Sequence, residues 1–325
     1  MTESLPTPTD AFWSPTALGR IHVAHRVAMA PMTRSRATRD GLVTDLTRTY
    51  YAQRASLAMR VSHVSNTPHG RTPLGPSAIA ARGDMFTASG PQPMSTPREM
   101  TEADIAQTIS DFRRAARLAV DAGADGVEVH GANGYLLQQF MSTNANRRTD
   151  RYGVDIAGRV RFPIEVAAAV AEEIGADRTG YRISPGSPLG DIEEADVDEL
   201  YAALIGGLAP LGLAYLHVVH LGDEALLRRI RDDWPTGIVL NRAGADIERR
   251  AQDVRDGPAD VVSFGTLALA NPDLPARIRR GAEMNEPDRA TLYGGAEHGY
   301  IDYPRLAAGR SPHSRKEHHH ARPRR

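Results

Sequence analysis

From residue 101 onward the chain alternates between two hydrophobic periods. Thr101 stands three residues before Asp104, a capping-box-like start, and Ile105, Ile109, Phe112 and Ala116 follow at helical spacing up to Gly123. Gly126-Val127-Glu128-Val129-His130 then reads as a short strand. The unit repeats. A helix over 159–174 stops at Gly175, and the strand Gly180-Tyr181-Arg182-Ile183-Ser184 runs into Pro185. A helix over 198–208 precedes a strand over 213–219, and helices over 224–232 and 247–255 precede strands at 237–240 and 260–265. One more strand is read near Val27. Strands that alternate with helices in this way lie parallel and are joined by helical crossovers.

Alternation alone fits an open doubly wound sheet or a closed barrel. No G-x-G-x-x-G follows any predicted strand, which removes the usual mark of the open sheet. Polar residues instead fall at the C-terminal ends of several strands: Thr33, His130, Arg182, His217 and Asn241. That distribution predicts a barrel with one shared mouth. Residues 66–98, rich in Pro, Gly and Ser, read as a long loop over that mouth, with Met85, Phe86 and Pro91 either lining it or packing the loop down. The expected organisation is a single barrel domain over 1–304 and a disordered polar tail over 305–325, where any metal affinity of His318, His319 and His320 is incidental.

Composition narrows the chemistry. The chain has 325 residues, no cysteine and a formal net charge of -1. Thiolate catalysis, cysteine-type zinc sites and disulfides are excluded, and no charge bias points to nucleic acid. The one lysine, Lys316, lies in the tail, so no buried lysine is present to form a Schiff base. Nothing approaches about 18 consecutive apolar residues and no leader is read, so the expectation is a cytoplasmic protein with no membrane partner. A metal-dependent barrel hydrolase would need close ligand pairs, but His217 and His220 are three apart and fall on opposite strand faces; no metal site is expected.

Six segments carry a resemblance: Val27 to Arg34, His130 to Tyr135, Asn146 to Gly153, Arg182 to Pro185, Ala270 to Leu274 and Asn285 to Arg289. In this order, from about Trp13 to about Pro304, they resemble the successive signatures of the Old Yellow Enzyme family. The resemblance implies a (β/α)8 TIM-type barrel that binds FMN, takes electrons from NAD(P)H in a ping-pong cycle, and reduces the C=C bond of α,β-unsaturated carbonyl, maleimide or nitro compounds. His130 and Asn133 match the family's donors to the substrate oxygen, and Tyr135 its proton donor to carbon. The plainer readings are a core histidine satisfied by backbone and a loop tyrosine packed inward. Pro31, Met32 and Thr33 match the loop beside the flavin, and Arg182 the residue facing its N1 and O2, unless Arg182 forms an interior salt bridge with Glu128. Asn241, Arg242, Gly244, Gly265 and Thr266 fall on the phosphate-binding turns. Thr266 stands where the family has an arginine, a loss of about 1–3 kcal/mol of cofactor binding, with Arg242 either compensating or pointing to solvent.

The chain departs from the family near residues 59–60. Tyr50 to Ser56 resembles the first barrel helix, whereas Arg60 to His63 resembles a segment that follows the third strand. On the order of fifty residues, the second and third β/α units, are missing from the eight-unit pattern, and no Gln lies between Gln53 and Gln92 to supply the family's pyrimidine-edge contact. The expected fold is therefore an incomplete barrel. A degenerate paralogue, a coding error and a barrel closed by residues 57–65 would each account for the gap. The expected function is an FMN-dependent ene-reductase; the alternative is a degenerate flavin-binding paralogue. The expected partner is a small electrophilic alkene, with a homo-oligomer left open.

Overall fold

The computed structural model describes residues 7–32, 34, 36, 45–46, 71–87 and 89–306. Thr33, the Tyr50 to Ser56 and Arg60 to His63 segments, Lys316 and nearly all of the polar tail lie outside the described residues.

A short hairpin, β1 (Thr16–Leu18) and β2 (Ile21–Val23), opens the fold and leads into β3 (Val27–Met29). Several of the helices start at a residue whose side chain caps them. In α1 (Glu102–Asp121), the Thr101 hydroxyl accepts the Asp104 N–H, and the Asp104 carboxylate accepts the Thr101 N–H, completing the expected capping box. The short α2 (Leu136–Met141) follows β8 (Val127–Gly131), and α3 (Ile156–Ile174) starts at Asp155, whose carboxylate accepts the Gly158 N–H. Then come β9 (Thr179–Ile183), α4 (Val197–Leu208), β10 (Tyr215–His220), α5 (Glu224–Asp233), β11 (Gly237–Arg242), α6 (Ile247–Arg255) and β12 (Val261–Phe264). The helices α7 (Thr266–Ala270) and α8 (Leu274–Arg280) close the series.

These strands form one parallel sheet in the order β3-β12-β11-β10-β9-β8. Counted around a barrel, β3 is the first stave and β8 to β12 are the fourth to the eighth. Staves two and three have no counterpart among the described residues, as the sequence pattern predicts. The outer edges of β3 and β8 have no paired strand among the described residues, so their backbone donors and acceptors lack the partners that neighbouring staves supply in a closed barrel.

Alternation along each strand divides the sheet into two faces. Tyr181, Ile183, Leu216, Val218, Ile238, Leu240, Val262 and Phe264 join the main apolar core beneath the helices. Tyr215, Val239 and Val261 point to the inside, where Leu18 of the β1–β2 hairpin packs on them and plugs the floor. The fit is close: a Cβ on Gly237 would stand 2.5 Å from a Leu18 methyl.

The stretch expected as a loop has structure of its own. β4 (Leu74–Gly75) pairs in parallel with β7 (Arg98–Glu99), and β5 (Asp84–Thr87) forms a hairpin with β6 (Gly90–Pro93). Buried Arg148 pins it down, donating to Pro76 O at 2.9 Å and Met100 O at 2.6 Å while its other donors grip Asp150. Pro91 is exposed, so it does not pack the excursion down, and the Phe86 side chain lies outside the described residues.

Candidate active site

The turn after β8 brings the first three candidates together. Gly131 ends the strand where the backbone crosses the ring of Tyr181; a Cβ there would meet the Tyr181 hydroxyl at 2.3 Å. Asn133 has φ +55 and Gly134 φ +77, a left-handed pair that turns the chain back over the strand end. The Asn133 N–H donates to Ser184 Oγ at 2.8 Å and the Gly134 N–H to Gln138 Oε1 at 2.8 Å. The chain re-enters a helix at Leu136, which swings Tyr135 back over His130 with 5.2 Å between the ring centroids. His130, Asn133 and Tyr135 are all half-buried at the C-terminal end of the sheet. The Asn133 carboxamide makes no hydrogen bond among the described residues.

Arg182 enters the same space from β9. Register pairs it with His130 on one side and His217 on the other, so three nitrogen-bearing side chains form one inward row. Its guanidinium Nη1 donates to Pro31 O at 3.2 Å, tying the β3 loop across the interior. Arg182 is 4% exposed, and its Nε–H is buried without a hydrogen-bond partner among the described residues. Burial pulls its pKa down from the ordinary guanidinium value, and the charge of Glu128 opposes that shift.

The Glu128 carboxylate is bonded elsewhere. His217 Nδ1 lies 2.8 Å from Glu128 Oε2, His217 Nε2 lies 2.8 Å from Ser263 Oγ, and Asn241 Nδ2 donates to Ser263 Oγ at 3.0 Å. Burial pushes the Glu128 carboxyl up, but the charge that His217 acquires in acid, its hydrogen bond and the charge of Arg182 outweigh it and hold the acid below the usual carboxylate range. Burial, helped by Arg182, lowers the His217 pKa against the pull of Glu128, so near neutral pH the uncharged ring donates Nδ1–H to Glu128 while Nε2 accepts the Ser263 hydroxyl. The result is a one-way chain from Asn241 at the mouth to Glu128 in the interior.

The phosphate-side candidates separate. Asn241, Gly244, Gly265 and Thr266 sit at the adjoining C-terminal ends of β11 and β12, with Gly244 at φ +72 and Thr266 exposed. Arg242 does not join them. One residue beyond inward-facing Asn241, it points to the helix layer, where Nε and Nη2 bond Asp253 at 2.8 Å each and Nη1 bonds Glu224 and His220. A longer contact from Nη2 to Glu224 takes the fifth and last guanidinium donor, so neither the compensating nor the solvent-facing expectation holds. Arg250, not singled out from sequence, lies behind the two turns and donates to Arg242 O, Ala245 O and Ser263 O.

Other residues that the sequence reading missed are Gln138, Glu194, Tyr201 and Ser263; His217 was among the polar strand-end positions, without a role. For Ser263 a signal was present: period-two alternation places a polar side chain on the inward face of an otherwise apolar strand. Gln138 and Glu194 carry no such pattern.

The sequence profile described as the NADH:flavin oxidoreductase / NADH oxidase family matches residues 11–72 and 58–285. The chain belongs to this family. Its relatives include a probable flavin mononucleotide-dependent alkene reductase of Leishmania infantum, 35% identical over 356 residues, covering 91% of this chain and 97% of that protein. A putative 12-oxophytodienoate reductase 12 of Oryza sativa subsp. japonica is 37% identical over 355 residues, covering 89% of this chain and 87% of the relative. Among solved structures, morphinone reductase in complex with tetrahydroNAD superposes with a TM-score of 0.85 at 36% identity, covering 92% of this chain and 99% of the other. In the Leishmania alignment, 91% of this chain is about 296 residues against 356 aligned positions, which leaves about 60 positions without a counterpart. The family match also restarts within residues 58–72, where the Old Yellow Enzyme pattern loses its second and third units.

No helix among the described residues is long and apolar enough to cross a membrane.

Proposed function

We propose that this chain is an NAD(P)H-dependent, FMN-containing reductase of activated C=C bonds. The observation that carries the reading is the meeting of His130, Asn133 and Tyr135 at the barrel mouth beside a buried inward arginine with an unsatisfied Nε–H. A desolvated guanidinium donor with no protein acceptor suits an electron-rich heterocycle edge, so the site fits a flavin. Arg182 and the Pro31 and Met32 backbone would hold the ring. Asn241, Gly244, Gly265 and Thr266 would border the phosphate end. When bound, the reduced flavin supplies the hydride that adds to the β-carbon of the alkene.

The protein's share is electrostatic and protonic. As hydride reaches the β-carbon, negative charge builds on the carbonyl or nitro oxygen, and N–H donors from His130 and Asn133 meet it there. His130 stands in β8 and Asn133 on a turn whose backbone is hydrogen-bonded before substrate arrives, so little reorganisation is left for the reaction itself. The Tyr135 hydroxyl delivers the proton to the α-carbon. Substrates of this kind are α,β-unsaturated carbonyls, maleimides and nitroalkenes, consistent with relatives named alkene reductase and 12-oxophytodienoate reductase.

The test is direct. The purified protein should show flavin absorbance, and Tyr135→Phe should abolish turnover of an enone while NAD(P)H still bleaches the flavin. Protein that stays colourless after incubation with FMN refutes the reading; a fully active Tyr135→Phe enzyme refutes the proton-donor role.

A further inference from the structure

We propose that Ser184, Gln138 and Glu194 act as positioning residues that clamp the Asn133 turn in its oxygen-binding geometry. The inference rests on the function proposed above and adds residues that touch neither substrate nor flavin.

The argument follows donors and acceptors. Glu194 as a carboxylate only accepts. It takes the Tyr201 hydroxyl at 2.8 Å and a Gln138 amide N–H at 3.0 Å on Oε1, and the Gly186 N–H at 2.9 Å on Oε2. That fixes which way the fully buried Gln138 amide faces. With Nε2 committed to Glu194 and to Ser184 O at 3.1 Å, Gln138 must turn Oε1 toward the turn after β8. There it accepts the Gly134 N–H at 2.8 Å and the Ser184 hydroxyl at 3.0 Å. The Ser184 proton being spent, its oxygen is left as an acceptor, and the Asn133 N–H donates to it at 2.8 Å. Every step sets the polarity of the next, from Glu194 to the backbone of Asn133.

The clamp has work to do. Asn133 holds φ +55 and Gly134 φ +77, left-handed conformations that Asn and Gly reach more easily than other residues, and the hydrogen bonds fix one geometry among those open to them. Packing supports it from the other side, since a Cβ at Gly134 would stand 2.1 Å from Leu189 O on the loop after β9. Ser184 and Gln138 are both fully buried, so water does not replace a lost partner cheaply. Because Asn133 supplies one of the two donors to the substrate oxygen, loosening this turn weakens transition-state binding more than it weakens the fold.

A double-mutant cycle tests this. The holoenzyme flavin is reduced with dithionite and its reoxidation by 2-cyclohexen-1-one is followed in single turnover, which leaves the nicotinamide out. Ser184→Ala should slow reoxidation by about tenfold or more, the scale of one lost buried hydrogen bond. Asn133→Ala should also be slow, and the double variant no slower than Asn133→Ala alone. Independently of flavin, amide hydrogen exchange of the peptide over 131–136 should accelerate in Ser184→Ala. Should Ser184→Ala fold poorly, Glu194→Gln carries the same cycle, because its amide donor opposes one of the donors that the carboxylate accepts and so loosens the anchor of Gln138. Losses that multiply in the double variant, or unchanged exchange of that peptide, overturn the clamp. Wild-type reoxidation by Asn133→Ala overturns the oxygen-donor reading and the clamp with it.

Discussion

Arg242 offers the sharpest contrast between sequence position and structural role. From its place on the β11 turn it is a candidate for the flavin phosphate, yet its guanidinium is consumed by Asp253, Glu224 and His220 on the helix side of the sheet. Replacing it by methionine keeps the apolar stem and deletes the charge. The Asp253 side chain is 0% exposed, so the substitution leaves a fully buried carboxylate without its main partner. Breaking a buried pair on one side costs about 3–5 kcal/mol. Glu224, at 45% exposure, adds little because water replaces the lost partner. At roughly 2–4 °C per kcal/mol for a domain of this size, the melting temperature should fall by roughly 10 °C. Adding Asp253→Leu to Arg242→Met should recover most of that loss, since a packed apolar pair needs no compensation. Flavin binding supplies the discriminating assay: Kd for FMN, measured by quenching of its fluorescence below the melting range, should stay within about threefold of the parent, under 1 kcal/mol. A drop in FMN affinity beyond about tenfold with an unchanged melting temperature would place Arg242 on the phosphate and refute this account.

Other expectations concern stability. Val154 is a β-branched residue at φ +67 with its side chain 79% exposed, so Val154→Asn should relieve backbone strain without loss of packing and stabilise the protein by about 1 kcal/mol, read as a raised melting temperature. The Tyr181 hydroxyl is buried with no hydrogen-bond partner, and burial pushes its pKa well up; Tyr181→Phe should gain about 1 kcal/mol in denaturant unfolding, and a loss would mean that the hydroxyl is satisfied. Glu128 has a folded-state pKa depressed below its unfolded value, because His217 and Arg182 outweigh burial. The unfolded chain therefore binds the proton more readily, and the contribution of Glu128 is present above about pH 4–5 and lost as pH falls through the folded value. Glu128→Gln should lower stability near neutrality and flatten the acid limb of the stability profile; an unchanged acid limb would contradict the depressed pKa.

The described sheet breaks at a single place in the barrel order. The six strands of the sheet keep the order and register of a barrel from stave four through stave eight and on to stave one, and each pairs only with its barrel neighbour. About 60 aligned positions have no counterpart in this chain, and removing two adjacent staves leaves the pairing of the others intact, because parallel strands in such a barrel bond only to the strands on either side. His130 and Asn133 stand on and just after β8, which borders this break, and β8 is fully paired along its other edge with β9, which carries Arg182.

Local pattern determined much of this protein by itself. Periodicity and caps located α1, α3, α4, α5 and α6 and the strands from β8 to β12 to within a few residues, because each carries its own apolar stripe and its own start and stop signals, whereas the six-residue α2 is too short to show a period and was not read. The His130 to Tyr135 motif was legible because its residues lie within one turn of chain. Tertiary structure alone decided which way side chains on neighbouring positions face and what they meet. Asn241 and Arg242 are adjacent in sequence, yet the pleat sends one to the barrel interior and the other to the helix layer. Ser184, Gln138 and Glu194 converge on Asn133 from separate segments, and no local period encodes a hydrogen-bond chain whose polarity is set by a carboxylate sixty-one residues away from the turn it holds.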